Sequence, residues 1–437
     1  MTHTAARFFV LICIVLLCPA AWAAEVYTLE KAVNTALERN FTIQAADEAR
    51  KAAGSGVSSA RSAFGPVLGS GYAYDRRQHN RESSGRAVDR ELYTWRVYLN
   101  QNLFAGFETL ADYQKAALRE DVAEAGVQRA RLELVRLVQT HFFTYLKARE
   151  DARSASDALD RLRSQLTSSR AFYDVGVSPR IDVLQAEVDV SSAESALLIA
   201  ENAVQTQKAR LNTLLRLPID ADAEYSGAPK FVPFAKTLDE CLQTAYKKRP
   251  DLIIAEKSVR IAENDVTKAQ SGWYPRIDAY GAWGSRGNSG SVSGSPNITN
   301  RFNEWTVGVS AEWRLFEWGK TLFDTRQARH ESSRLRLEAE NLKQEVGFMI
   351  KERILAMSEA AKRIKVAQAA VTQALEAYRM ADARYRRQVG TMTDVLDAQA
   401  KLSQAEASLA GARADYSIAL AAVYTDIGEE NPSLRPL

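Results

Sequence analysis

The sequence predicts an α+β membrane protein built from a tandem structural repeat, in which strand pairs join long helices. Three observations lead to this prediction. The second half of the chain repeats the first, each half contains strands of alternating apolar and polar residues, and each half then runs far without a proline. Alternation with a period of two is typical of a strand with one apolar face, and a long proline-free segment favours one continuous helix.

The bulk composition is that of a folded protein with a nearly balanced charge. The chain has 437 residues, 46% of them hydrophobic, which is normal for a protein that buries a core. Its 57 basic and 54 acidic side chains leave a net charge of only +3. Nothing in this balance indicates a nucleic-acid partner.

The first 23 residues have the features of an export signal. A basic residue precedes an apolar run that ends at Leu17, and Ala21-Trp22-Ala23 has the small-x-small pattern of a cleavage site. A lipoprotein signal ending at Cys18 is the alternative, but a bulky residue stands where that peptidase requires a small one. We therefore predict residues 1–23 to be a cleaved signal peptide. Cleavage would leave Cys241 as the single cysteine, which excludes an intrachain disulfide.

An internal repeat organises the rest of the chain. The stretches beginning at Thr28 and Thr237 align when the sequence is shifted by 209 residues, and the shift becomes 212 from Asn102 onward. With the second shift, VGVSPRIDVLQAEVD at 175–189 overlays RQVGTMTDVLDAQAK at 387–401. The sequence therefore predicts two copies of one structural unit. The predicted divisions are copy 1 (24–217), a proline-containing linker or equatorial region (218–236), copy 2 (237–428) and a C-terminal tail (429–437).

Both copies are predicted to contain the same elements in the same order. An opening helix, Leu29–Phe64 in copy 1, ends before a proline, and a β-hairpin follows. A long helix, a turn and a return helix come next. Each long helix has about 65 residues and would extend ~100 Å at a rise of ~1.5 Å per residue. The predicted bounds are about 66–104 and 275–316 for the hairpins, 108–174 and 320–387 for the long helices, and 179–217 and 391–428 for the return helices.

One face of each hairpin is predicted to contact lipid. In copy 1, Tyr93 and Trp95 begin a stretch in which apolar and polar residues alternate. In copy 2, Trp305 and Trp313 lie towards the two ends of a more regular stretch of the same kind. Aromatic residues at the ends of an apolar strand face resemble the interfacial girdles of outer-membrane barrels, which also carry long polar loops on the outside of the cell. A soluble sandwich could use the same alternation, but the polar loops favour the barrel. The segments predicted as loops are Asp75–Arg90 and Ser285–Asn300.

The number of strands predicts an assembly of several chains. Four strands cannot close a barrel in which every backbone group is satisfied inside a bilayer. Two chains would give eight strands and an interior filled by side chains, whereas three would give twelve and could leave a water-filled lumen. The long helices would continue such a barrel as a tube across the periplasm.

The repeated phrase lies where each long helix must reverse. In copy 1, Gly176 supplies a flexible position, Ser178 is expected to cap the next helix, and Pro179 suits its first turn. In copy 2, Gly390 is expected to loosen the turn, and Thr391 with an acid three residues later has the pattern of a capping box. Both phrases are therefore predicted to be periplasmic tips of helical hairpins.

Two acids distinguish the second tip. Asp394 and Asp397 are three residues apart and so share one helical face, whereas copy 1 has Gln185 in place of Asp397. In a trimer they would form a ring of six carboxylates that favours cations and narrows the entrance. Acids in a first helical turn also stabilise the helix dipole without any gate, so ordinary capping is the alternative.

Nothing in the sequence indicates catalysis or a bound metal. The histidines beyond the predicted signal, His79, His141 and His330, are widely separated, and no cysteine cluster exists. Gly319-Lys320-Thr321 has the end of a phosphate-binding loop motif, but Arg314 replaces the first glycine of that motif. We therefore expect no enzymatic activity and no cofactor.

The duplicated plan resembles the TolC family of outer-membrane export channels. The resemblance rests on the order of elements, on Leu103-Phe104 and Leu315-Phe316 with a following Gly106 or Gly319, and on the repeated Asp-Val-Leu phrase. It implies a homotrimer with a twelve-stranded outer-membrane barrel that a helical barrel continues through the periplasm. It also implies a periplasmic adaptor protein and an inner-membrane ABC or proton-driven transporter as partners. Type I protein secretion and small-molecule efflux both stay open, and a periplasm-spanning tether that does not conduct is the alternative function.

The resemblance further implies a link between the tips. In the TolC family a tyrosine and an arginine join the second hairpin to an aspartate of the first. The aligned positions here are Tyr385, Gly390 and Asp182, so the arginine is missing. Arg386 or Arg387 would have to replace it.

Overall fold

The computed structural model describes residues 26–80, 87–227, 231–287, 290 and 302–431. The predicted signal peptide, the centre of the predicted loop Asp75–Arg90, most of the predicted loop Ser285–Asn300 and most of the predicted tail lie outside these residues. No helix in the described ranges is both long and apolar enough to cross a membrane.

Within its described residues, each copy of the repeat contributes four α-helices. Both long helices, α3 and α7, contain 67 residues, which corresponds to ~100 Å. The bounds are α1 Leu29–Arg39, α2 Phe41–Ser62, α3 Glu108–Asp174 and α4 Arg180–Leu215 in copy 1, and α5 Leu238–Lys248, α6 Pro250–Gln270, α7 Lys320–Arg386 and α8 Met392–Asp426 in copy 2.

The opening helix of each copy is interrupted, so the expectation of one helix over Leu29–Phe64 is wrong. Asn40 has an extended backbone, with φ −69° and ψ 132°, and its side-chain oxygen accepts a hydrogen bond from the Thr42 N–H at 2.9 Å. Asparagine favours this capping role, because its side chain replaces a missing backbone acceptor. Arg249 has the same place in copy 2, where Pro250 disfavours a helical conformation for the preceding residue.

A four-stranded antiparallel sheet lies at one end of the helices, in the spatial order β2-β3-β5-β6. Because backbone groups alone form its ladder, polar side chains do not end the strands, and β2 and β3 extend into most of the predicted loop Asp75–Arg90. The strands of both sheets are β1 Val26–Tyr27, β2 Val67–Asn80, β3 Ala87–Ala105, β4 Glu224–Tyr225, β5 Arg276–Gly287 and β6 Phe302–Glu312.

Elements pack in the same order at each level of the molecule. Next to the sheet, neighbouring helices are α2, α3, α6 and α7; farther from it they are α4, α3, α8 and α7. The chain is therefore a ribbon four elements wide. One edge consists of the copy 1 elements α2, β2 and α4, and the other consists of the copy 2 elements β6 and α7.

A small parallel sheet anchors the middle of the ribbon. β1 pairs with β4, so that Tyr27 lies beside Tyr225 with ring centroids 5.7 Å apart. Tyr225 is buried against Phe142 of α3, at 6.3 Å between rings, and its hydroxyl donates to the Asn212 side-chain oxygen at 2.7 Å. The linker thus packs on the copy 1 core. Farther along the linker, Phe231 stacks on Tyr416 of α8 at 4.8 Å.

Candidate functional site

The four-stranded sheet has two chemically different faces. The register places Trp305, Val307 and Val309 of β6 on the same face as Trp283 of β5. Trp305 and Val307 are 75% and 76% exposed, which is costly in water for such large apolar side chains. The opposite face is polar, and there the Asn102 amide donates to the Asp278 carboxylate at 2.7 Å.

The predicted girdle residues fall at two levels of the sheet. Trp95 packs edge-to-face on Trp283 at 5.4 Å, and Trp283 pairs across the strands with Trp305. Tyr93 lies nearby on the same strand as Trp95. Trp313 lies at the helical end of the sheet, where its indole N–H donates to the Trp273 carbonyl oxygen at 3.2 Å.

At the first tip, the turn depends on Gly176 but not on a serine cap. Gly176 has φ +76°, and the Val177 N–H donates to the Phe172 carbonyl at 2.9 Å. Helix α4 begins one residue later than expected. Pro179 therefore occupies its N-cap position, where no side chain caps the helix. The Ser178 hydroxyl is buried without a hydrogen-bond partner among the described residues, so the predicted cap is wrong.

At the second tip, Gln388 replaces Gly390 as the left-handed residue. Gln388 has φ +61°, whereas Gly390 is absent from the positive-φ residues of the described chain. The expectation that Gly390 loosens the turn is therefore wrong, because its backbone does not adopt the left-handed conformation. A Cβ on this glycine would lie 3.1 Å from the Arg384 Cβ, so close packing accounts for the small residue. The repeat itself contains the missed signal, since a shift of 212 aligns Gly176 with Gln388.

The capping box at the start of α8 is present. The Thr391 N–H donates to the Asp394 carboxylate at 3.0 Å, and the Asp394 N–H donates to the Thr391 hydroxyl at 3.2 Å. Two hydrogen bonds from Thr391 lower the pKa of the Asp394 carboxyl below its ordinary value. The bond from the Thr391 backbone has the larger effect, and the bond from its side chain has the smaller one. Asp397 is exposed and lines a groove of about 450 Å³ between α4 and α8, which also includes Gln185.

Tyr385 holds the second hairpin against the first within one chain. Its ring is 5% exposed and packs on Phe172 at 5.6 Å, and its hydroxyl lies 3.2 Å from the Ser169 Oγ. The expected link to Asp182 is therefore wrong within the chain, because α3 rather than α4 supplies the hydrogen-bond partner. Arg386, a candidate for the missing arginine, instead pairs with Asp382 of its own helix at 3.0 Å.

Three residues of α3 that sequence reasoning missed complete this contact. The Gln165 amide donates to the Met392 sulfur at 3.2 Å, and the Arg161 guanidinium donates to the Gln399 side-chain oxygen at 2.8 Å. With Ser169, they recur every four residues and so share one face of α3. That spacing is the signal in the sequence, although nothing local indicates what the face contacts.

The cap predicts a pH dependence confined to the start of α8. Because the folded pKa of Asp394 is lowered, its contribution should be fully present above the ordinary value of 3.8 and lost as pH falls through the folded pKa. We expect Asp394→Ala to speed hydrogen exchange of the first-turn amides of α8 at neutral pH. The ratio of the variant's exchange rate to that of wild type should approach one in acid. Asp397→Ala, which removes no cap, is the control. An Asp394→Ala ratio that does not change with pH would contradict this assignment.

No cluster of His, Cys, Asp or Glu that could hold a metal ion occurs within the described part of the chain. The features with functional potential are therefore the two-faced sheet and the acidic tip, joined by helices of ~100 Å.

A family model described as outer membrane efflux protein matches the chain twice, over residues 32–215 and 241–429. These matches span well over half of the chain. The chain belongs to the outer membrane efflux protein family. Membership confirms the resemblance found in the sequence, the outer-membrane location and the function class of an efflux channel.

Individual relatives resemble this efflux protein over most of its length. Outer membrane protein TolC of Vibrio cholerae is 23% identical over 422 residues, which cover 94% of this chain and 92% of that protein. The alkaline protease secretion protein AprF of Pseudomonas aeruginosa is 23% identical over 76% of this chain and 69% of its own length. The crystal structure of outer membrane protein VceC from Vibrio cholerae superposes with a TM-score of 0.80 at 18% identity, covering 92% of this chain and 96% of that one. This similarity confirms the predicted fold class.

Proposed function

We propose that this efflux protein forms a homotrimeric channel that passively conducts substrates through the periplasm and outer membrane, without catalysis or a cofactor of its own. The observation that carries the proposal is the ribbon, whose edges are open at every level. Among the strands that the structure describes, β2 and β6 each pair on one side only. An open strand edge inside a bilayer leaves backbone groups without partners, so copies of the chain must close it.

Three copies fit the chemistry of the sheet better than two. Eight strands would enclose an interior filled by side chains, whereas twelve leave room for water. The polar face, which includes Arg96, Asn102 and Asp278, suits an aqueous lumen. At the level of the helices, three ribbons would place twelve helix segments around the same axis.

The apolar face suits a ring of outer-membrane lipid. Trp305 and Trp313 are eight residues apart, so ~26 Å separates them along the strand at ~3.3 Å per residue. With a strand tilt of ~40° their levels differ by ~20 Å in height, close to the ~25 Å apolar band of such barrels. We assign Tyr93, Trp95 and Trp305 to the outer girdle and Trp313 to the periplasmic one.

The helix tips suit the entrance. In a trimer, Asp394 and Asp397 would give six carboxylates at the second tips, with Asp182 on the adjacent hairpin. A channel of this kind has no energy source of its own, so we propose that a periplasmic adaptor joins the tips to an inner-membrane ABC or proton-driven transporter. The relative named for alkaline protease secretion makes an exported protein one candidate substrate, beside small molecules.

Purified protein in detergent and in planar bilayers tests this function. We expect the mass of three chains by light scattering and stepwise ion conductance after insertion. A single chain that stays in water and does not conduct would overturn the proposal and favour the tether.

A further inference from the structure

We propose that Trp318 of one protomer packs over Gly65 of the neighbouring protomer, and that β6 pairs with the neighbour's β2 in a register set by the repeat. This inference rests on the trimer proposed above and names the residues that close it. The occupant of the exposed edge is thus a second copy of this chain.

Both strand-to-helix turns contain two consecutive left-handed residues. In copy 1 they are Gly106 (φ +60°) and Phe107 (φ +71°), and in copy 2 they are Trp318 (φ +51°) and Gly319 (φ +79°). Each turn therefore has one glycine and one aromatic residue, in opposite order. Left-handed backbone is unfavourable for a tryptophan, so its side chain at this position needs a reason beyond the turn.

Copy 2 covers the first turn within the chain. A Cβ on Gly106 would lie 2.6 Å from the Ser271 carbonyl oxygen and 3.0 Å from the Tyr274 Cβ. The rings of Phe104 and Phe107 pack edge-to-face on Tyr274, with centroids 6.3 and 5.6 Å away. A small residue in the turn thus faces a large residue before β5.

The second turn is uncovered in one chain. Trp318 is 88% exposed and Phe316 is 72% exposed, and their rings lie 5.0 Å apart. Under the repeat, the segment that should cover them is the equivalent of Ser271–Tyr274, which is Ser62–Gly65. That segment precedes β2 at the opposite edge of the ribbon, ~14 Å away across three strand spacings of ~4.8 Å. Only the next copy can bring it to Trp318.

The sizes of the paired residues are exchanged between the two contacts. Within the chain, Gly106 meets Tyr274; between chains, Trp318 would meet Gly65, which stands at the position of Tyr274. Gly65 does not have a positive φ, so its backbone conformation does not require glycine. A Cβ on Gly65 would lie 3.3 Å from the Ser62 carbonyl oxygen, which is tight but does not overlap it. The missing side chain also leaves space in which a tryptophan of the next copy can lie. Phe64, which is 48% exposed, adds apolar surface to the same site.

The repeat also predicts the strand register across the interface. Both hairpins have the same register. Val67 pairs with Asn100 in copy 1, and the equivalent residues of copy 2, Arg276 (shift 209) and Glu312 (shift 212), also pair with each other. Within the chain, Tyr98 of β3 pairs with Ala282 of β5. The same shifts convert this pair into Ser310 of one protomer and Ala73 of the next.

Cysteine cross-linking tests the register. Residues directly opposite in antiparallel strands have Cα atoms ~4.5–5.5 Å apart, which suits a disulfide. We expect Ser310→Cys with Ala73→Cys to give covalent trimers on oxidation. The control, Ser310→Cys with Gly71→Cys, is offset by two residues and so lies beyond the ~7 Å limit. Preferential cross-linking of the control pair would overturn the register.

A size exchange tests the Trp318 contact. Gly65→Tyr alone should fill the space for Trp318 and reduce the trimer at least tenfold. Trp318→Gly should relieve the turn and leave the chain folded, and the double variant, which copies the Gly106 and Tyr274 pair, should restore trimer. Wild-type levels of trimer in Gly65→Tyr, or no recovery in the double variant, would overturn the contact.

These outcomes are distinct from failure of the proposed function. If the wild-type protein is a non-conducting single chain, the channel proposal falls and the interface falls with it. If wild type is a conducting trimer while the size exchange and cross-links fail, only the interface is wrong.

Discussion

Replacing Gly106 by alanine should abolish the assembled protein. The residue has φ +60°, and a Cβ would lie 2.6 Å from the Ser271 carbonyl oxygen. Because that oxygen belongs to the backbone at the end of α6, no side-chain rotation can relieve the overlap. The turn must move, and it joins β3 to the long helix α3. We expect Gly106→Ala to be degraded or monomeric, as measured by its level in isolated outer membranes and by size-exclusion chromatography.

Gly126→Ala is the matched control for this substitution. Gly126 lies within α3, and a Cβ there meets no atom within 4 Å apart from the adjacent backbone of its own helix. Alanine in a helix interior is favoured over glycine by about 1 kcal/mol, so this variant should assemble at least as well as wild type. Equal assembly of the Gly106 and Gly126 variants would mean that the turn tolerates a side chain.

Removing the acids of the second tip should change ion conduction several-fold. Asp394→Asn with Asp397→Asn removes six charges from a trimer and preserves side-chain size, and the asparagine at 394 can still accept from the Thr391 N–H. If the acids form a ring at the entrance, its preference for cations and its block by divalent ions should both weaken. Single-channel recordings in planar bilayers, with and without millimolar divalent cation, measure both effects.

Asp174→Asn is the control for the loss of charge alone. Asp174 is exposed at the end of α3, at the same end of the molecule, but outside the acidic pair. It should leave selectivity and divalent block near wild type. Unchanged conduction in the double variant would remove the ring and leave capping as the role of Asp394.

The repeat could be predicted because it is visible when the sequence is aligned with itself. The long helices and the strand pairs could be predicted because each depends on the spacing of nearby residues. Long segments without proline indicate α3 and α7 as continuous helices, and period-two alternation indicates β6. The break at Asn40 was missed, since asparagine is also tolerated inside helices and the competition is decided by its side-chain bond to Thr42. The extent of β2 and β3 was underestimated, because polar side chains carry no information about backbone pairing.

The tips show the limit of sequence reasoning more directly. The capping box of Thr391 and Asp394 is local, and it is present as predicted. The partner of Tyr385 is not local: Ser169 lies 216 residues away, on a face of α3 that becomes relevant only when the hairpin of α7 and α8 packs on it. Spacing within one helix can identify such a face, but the choice of neighbour depends on how helices pack in three dimensions.

The parallel pair β1–β4 sets a condition on the order of folding. Val26 pairs with Glu224, so this residue waits for a partner 198 positions later in the chain. If the chain crosses the inner membrane from its N-terminus, Tyr27 emerges early, yet β1 can pair with β4 only after the whole of copy 1 has followed. Closing so long a loop is slow compared with forming a helix. β1 must therefore stay unpaired with β4 in the periplasm for that interval, during which it is available to chaperones and proteases.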